Sequence, residues 1–98
     1  MVVGVLQMRL LVREAQTLKD KRHVIKGLRE RLRHEFNISA SEVDALDLVQ
    51  TAVLGVAVVT NDGAFADQVL AKVVDYVRRS PAELVRYETE LISSDTDA

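Results

Sequence analysis

The chain has 98 residues, 48 % hydrophobic and 29 % charged, with a net charge of −2. That is enough for one domain with one core, in ordinary globular proportions. Zero Cys removes disulfides, a thiolate nucleophile and Cys-ligated zinc from consideration, and the mild acidity removes an overall nucleic-acid footprint.

The first strand is predicted over residues 2–12, where the side chains alternate. Gly4, Leu6, Met8, Leu10 and Val12 fall on one face; Val3, Val5, Gln7, Arg9 and Leu11 fall on the other. Period 2 marks a strand with its first set inward. The N-terminal stretch carries no basic segment and is broken by Gln7 and Arg9, so it reads as this strand and not as a secretion signal. A helix is predicted over 17–36. Thr17 and Asp20 make a capping-box start, and Leu18, Ile25, Leu28, Leu32 and Phe36 recur at helical spacing. Gly27 within it is expected at a close packing contact, and Asn37 is expected to end the helix in a left-handed conformation.

Phe36, Ile38 and Ala40 alternate into a short second strand, and residues 41–47 read as a turn. A Val-rich third strand follows over about 48–60. Thr60, Asn61 and Asp62 offer caps for a second helix over 62–79, whose face is Phe65, Val69, Val73 and Val77. Ser80-Pro81 ends it. The fourth strand spans about 84–92, with Val85, Tyr87, Thr89 and Leu91 inward.

The order β-α-β-β-α-β buries most when two helices cover one face of a four-stranded antiparallel sheet. Right-handed crossovers then give a ferredoxin-like split βαβ sandwich, class α+β, with sheet order 4-1-3-2. Residues 1–92 form the expected domain, and 93–98 are expected to be a frayed polar tail. The expected core includes Leu6, Met8, Leu10, Leu28, Leu32, Leu54, Val56, Val69, Val73 and Tyr87.

Several blocks resemble a known family. Leu18-Lys19-x-Lys21-Arg22-x-Val24-Ile25-Lys26-x-Leu28, Phe36-Asn37-Ile38-Ser39, Glu42-Val43-Asp44 and Leu54-Gly55-Val56-Ala57-Val58-Val59 are similar to the YlxP-like family of small bacterial proteins, a domain of unknown function. The resemblance implies a ferredoxin-like fold. It also implies a connection to RNA or the ribosome, because members are often encoded beside translation-initiation and ribosome-maturation factors. The family commonly carries Trp where this chain has Val49.

Charge is concentrated on the first helix. Residues 17–36 hold seven cations and three anions, a local +4 that leaves −6 on the rest. Lys19, Arg22, Lys26, Arg29 and Arg33 follow at spacings of 3, 4, 3 and 4, a stripe about 21 Å long at 1.5 Å per residue. With Lys21 they form the candidate nucleic-acid-binding set, since such a stripe can track successive phosphates. The competing reading is a charged face kept for solubility. His23 and His34 share a helix face but lie about 16 Å apart, too far for one metal, and read as surface residues. Glu42, Asp44 and Asp47 read as turn residues and Asn61-Asp62-Gly63 as a cap, without the spacing of a calcium loop or a phosphate cradle.

Other activities of this architecture lack their residues. The loop after the first strand, Arg13-Glu14-Ala15-Gln16-Thr17, has no Gly for an acylphosphatase-like cradle. Copper-chaperone chemistry lacks its Cys pair. RNA-recognition motifs stack bases on sheet aromatics, whereas Phe36, Phe65, Tyr76 and Tyr87 all read as core. No catalytic residue, cofactor or metal is assigned. The expected function is a non-enzymatic binding module of the bacterial cytoplasm whose partner is RNA or the ribosome. The alternative is an oligomeric small-molecule-binding or regulatory domain, or more remotely an enzyme whose site forms between subunits. No membrane segment is expected, as the longest apolar run is Val56 to Val59.

The outward faces of the first and third strands are apolar where water would favour polar side chains. Val3, Val5, Gln7, Arg9, Thr51, Val53, Gly55 and Ala57 are the candidate surface of a homo-oligomer.

Overall fold

The computed structural model describes residues 1–94. Its elements are β1 (Val2–Leu11), α1 (Leu18–Glu35), β2 (Ser39–Asp44), β3 (Thr51–Thr60), α2 (Gly63–Arg78) and β4 (Glu83–Ser93). The four strands form one antiparallel sheet in the order β2-β3-β1-β4, which is the expected 4-1-3-2 read from the other edge. The fold is the ferredoxin-like βαββαβ arrangement.

Both helices lie on one face of the sheet and share one core. The alternation of β1 and β3 sends Leu6, Met8 and Leu10 inward opposite Val56, Leu54 and Ala52. Ile25, Leu28 and Leu32 of α1 and Ala66, Leu70, Val73, Val74 and Val77 of α2 close over them. Phe36 meets Tyr76 edge to face at 6.1 Å, joining the end of α1 to α2. Gly4 lets α2 approach β1: a Cβ there would stand 3.0 Å from Val58 Cγ1 and 3.2 Å from both Ala66 Cβ and Leu70 Cδ1.

Several local expectations change. β2 continues to Asp44 where a turn over 41–47 was expected, because β3 pairs with it along its length. β3 begins at Thr51, so residues 45–50 form the connection. Helix α1 ends in extended backbone at Phe36, whose N–H still bonds Leu32 O, and Asn37 is not left-handed. The one non-glycine residue with positive φ among the described residues is Ala45, at 56°. Gly27 is not at a tight packing contact, for a Cβ there would meet only the Arg31 guanidinium tip at 3.3 Å.

The edge strand β4 is less covered than its pattern suggests. Tyr87 and Leu91 do lie on the helix side, opposite Met8 and Gly4, yet they are 44 % and 40 % exposed because α2 does not reach across the edge. Tyr87 is instead flanked by Arg78, whose guanidinium sits 5.9 Å from its ring. Phe65 is also exposed, and Val69 is half-buried. A register shift between Arg9 and Leu10 leaves Val85 without a partner on β1, and it is exposed where a core position was expected. The strand runs on through Ser93, and Ser94 N–H bonds Met1 O at 2.9 Å, so the expected tail does not begin at 93. Its remainder, 95–98, lies outside the described residues.

The two glycines should respond oppositely to alanine. Gly4→Ala overpacks the α2 contact and should destabilise by about 1–3 kcal/mol. Gly27→Ala removes a helix-interior glycine and should stabilise by about 0.5–1 kcal/mol. Urea unfolding followed by circular dichroism measures both.

Candidate nucleic-acid interface

Helix α1 starts on a complete capping box. Asp20 N–H donates to Thr17 Oγ1 at 3.1 Å, while Asp20 Oδ2 accepts from the backbone N–H groups of Gln16 and Thr17 at 3.0 and 3.2 Å. The Gln16 N–H, with smaller help from Thr17 and Lys19, holds the Asp20 carboxyl below its ordinary range. The cap therefore keeps its charge at neutral pH and weakens only in acid.

Lys21 is not part of the surface stripe. Its side chain is completely buried, at a position that shares the inward face with Ile25, Leu28 and Leu32. Lys21 Nζ donates to the carbonyl oxygens of Ala45 (2.9 Å), Thr51 (3.1 Å) and Leu46 (3.3 Å). These three acceptors use its three protons. Glu42 Oε2 stands 2.9 Å away as a charge partner without an aligned hydrogen bond of its own. Lys21 is thus unavailable to a nucleic acid, and Glu42 is a buried counter-ion on β2 and not a turn residue. The sequence did hold a signal: a lysine four residues before Ile25 and seven before Leu28 sits on the apolar face.

The remaining five cations stay together on one flank. Lys19, Arg22 and Lys26 are exposed; Arg29 is half-buried with an Nε that has no partner; Arg33 is exposed and donates to Ala40 O of β2 at 2.9 Å. Among the described residues the ion pairs are Arg13–Glu83 and Lys21–Glu42, so none of these five cations has a carboxylate within ion-pair distance. His23 and His34 are exposed on the same helix. Asp44 caps its own turn by accepting from Ala45 N–H at 2.7 Å, and Asp62 caps α2 by accepting from the N–H groups of Ala64 and Phe65.

The other candidate surface is the sheet face away from the helices. Pairing aligns Val3, Val5, Gln7, Arg9 and Leu11 with Val59, Ala57, Gly55, Val53 and Thr51 on that face. Val53 is already only 4 % exposed, so its neighbours cover it within the protomer. Val43, at a bulge in β2, folds across Gly55. No ring lies on this face: Tyr87 is on the helix side, and Phe36, Phe65 and Tyr76 belong to or follow the helices. Base stacking on the sheet is therefore not provided for, though Phe65 and Tyr87 are not core as expected.

Fold and surface together define a small ferredoxin-like protein with one basic helix and a bare sheet face. Residues 3–90 match the family described as "Protein of unknown function (DUF503)", and the chain belongs to that family. It is similar to "Uncharacterized protein YlxP" of Bacillus subtilis (strain 168), with 28% identity over 80 residues, 82% of this chain and 87% of the relative. Among solved structures it is similar in fold to the de novo designed protein Foldit4, with a TM-score of 0.50 and 14% identity over 96% of this chain and 98% of that one. The designed protein "LFR1 1 with ferredoxin fold" also gives a TM-score of 0.50, at 13% identity, over 100% of this chain and 90% of the design. Position 49 is a half-buried Val against the core. Among the described residues no helix is long and apolar enough to cross a membrane.

Lys21→Met takes a donor from the Ala45, Leu46 and Thr51 carbonyls, of which Ala45 keeps its bond from Leu48 N–H, and leaves the Glu42 charge unpaired; it should cost about 3–5 kcal/mol in urea unfolding. Adding Glu42→Leu should recover only part of this, because the lost donations to the carbonyls are not restored. Full recovery would place the whole effect in the ion pair.

Proposed function

We propose that this chain is a non-enzymatic binding module of the bacterial cytoplasm that engages the phosphate backbone of RNA, in the setting of the ribosome, through the outer flank of α1. Lys19, Arg22 and Lys26 make the contacts. The single observation that supports the reading most is that these cations, with Arg29 and Arg33, share one flank with no carboxylate partner among the described residues. Unpaired cations at spacings of three and four residues retain their full attraction for an external polyanion. The bond from Arg33 to Ala40 O fixes that guanidinium against β2, so less side-chain freedom is lost when an anion arrives. The acidic remainder of the chain repels phosphate and so orients the encounter toward α1. The binding is of backbone and shape rather than of sequence, because the sheet offers no stacking ring.

The test is fluorescence anisotropy with a labelled single-stranded RNA and with a ribosomal RNA fragment, over a salt series, beside co-sedimentation with ribosomal particles. Affinity should fall with salt. The triple variant Lys19→Glu/Arg22→Glu/Lys26→Glu should lose binding and keep its melting temperature, and single replacements by Ala should each flatten the salt slope by about 0.7. A triple variant that binds as the parent does, at every salt concentration, overturns the proposal.

A further inference from the structure

The sheet face opposite the helices carries charges that form no ion pair within the described residues of one protomer. Arg9 on β1 and Arg86 on β4 are directly opposed across the strand pair, next to the register shift. Like charges in that position destabilise a sheet. Among the described residues neither guanidinium has a carboxylate within ion-pair distance. One and two pairs further along, Glu88 stands opposite Gln7 and Glu90 opposite Val5, also exposed and without a cationic partner. Asp44, opposite Val53 in the row of Arg9, lines one cavity with Arg9, Arg86 and Glu88 but is not within ion-pair distance of either guanidinium. Along β4 itself the face is positive at Arg86 and negative at Glu88 and Glu90. Beside this charged edge lie apolar residues of β1 and β3, including Val3, Val5, Leu11 and Ala57, with Val59 at 66 % exposed and Ile92 at 49 % exposed on the same face.

We infer that this face seats a second copy of the chain, related by a two-fold axis that turns its strands antiparallel, with Arg9 and Arg86 of each protomer receiving the carboxylates of Glu88 and Glu90 of the other. The charge order selects this occupant. A two-fold that reverses strand direction lays the positive end of each β4 over the negative end of its copy, twice, and so is self-complementary. A parallel stacking would instead set arginine against arginine. The same operation lays the apolar parts of β1 and β3 over their own copies, and aligned sheets pack in this way about 10 Å apart. The size suffices: three strands of ten or eleven residues present roughly 500 Å² of face, so the pair buries on the order of 1,000 Å², the lower bound of a specific interface. The small side chain of Ala57 leaves that part of the face open to close approach, whereas Gly55 is covered by Val43. This inference does not rest on RNA binding, because α1 is on the other side of the sheet.

The experiment is light scattering on the full chain at tens of micromolar, with two charge-reversed variants. The parent should run at about twice 10.9 kDa. Arg86→Glu alone, and Glu88→Arg/Glu90→Arg alone, should each run as monomers, since each sets like charges across the axis. Mixing the two should restore a species of dimer mass, a heterodimer in which every reversed contact is again attractive. These positions are exposed, and circular dichroism should give parental melting curves. Val59→Lys, at the apolar end of the face, should also give a folded monomer. Val53 is unsuitable as a probe because it is already buried in the protomer. A monomeric parent, reversed variants that remain dimeric, or a mixture that stays monomeric each overturns the inference. An anion or another protein bound to a monomeric parent at this face would likewise exclude the second copy.

Discussion

The Lys21 ammonium is the point on which the rest of the arrangement turns. A buried cation is tolerated only when its charge is matched and its protons are taken. Both conditions are met here by atoms from three places: the β2 carboxylate of Glu42, the carbonyls of Ala45 and Leu46 in the connection, and the Thr51 carbonyl at the start of β3. One side chain of α1 thus ties the helix to an edge strand and to the segment that leads into the central strand. Ala45 adopts its left-handed φ of 56° in this segment, a conformation that costs about 1 kcal/mol or more outside glycine. Its carbonyl accepts from Lys21 and from the Leu48 N–H, which is a physical reason for the conformation to persist. Gln50 secures the same segment from the other side, with Nε2 donating to the carbonyls of Arg13 and Ala15.

The clamp also sets the rotation of α1, and with it the site. At about 100° per residue, turning Lys21 inward places Arg29 about 80° away, Arg22 100°, Arg33 120°, Lys26 140° and Lys19 160°, all on one side. The order agrees with the burial: Arg29, nearest the inward direction, is half-buried, and Arg22, Lys26, Arg33 and Lys19 are exposed. The flank is the one beside β2, because Arg33 reaches the Ala40 carbonyl. The buried cation and the exposed cations therefore have different roles within one basic block. The first fixes the helix and the others are presented by it.

The topology was legible in the sequence because two periods carried it. Alternation in β1 and β3 and the 3.6-residue recurrence in both helices carry the element order and most of the core, and the right-handed crossover rule turns that order into the sheet order. What failed was information that one strand does not contain about its neighbours. The bulges at Val43 and Val85 are properties of pairing with β3 and β1, and counting by two along one strand does not reveal them. Tyr87 has the right parity but lies on an edge that α2 leaves open. Lys21 shares residue type with its charged neighbours, but its helical position, four before Ile25 and seven before Leu28, belongs to the core face. The surroundings of Gly27 supply no packing reason for a glycine.

The architecture separates its two surfaces. In a split βαβ sandwich the helices cover one face of the sheet, and among the described residues no third layer covers the other. The proposed role of the α1 flank would need only exposed charge, and the Lys21 clamp beneath it fixes the helix that presents that charge. The bare face has the opposite requirement, since the apolar residues on β1 and β3 gain from being covered and the opposed Arg9 and Arg86, which have no ion pair within the described residues, gain from added carboxylates. A face-to-face pair would meet both needs without touching α1. It would also hold two α1 flanks on opposite outer sides, separated by two sheets and the helix layers. Neither flank could then shield the other, and a polyanion bound to one would leave the second open.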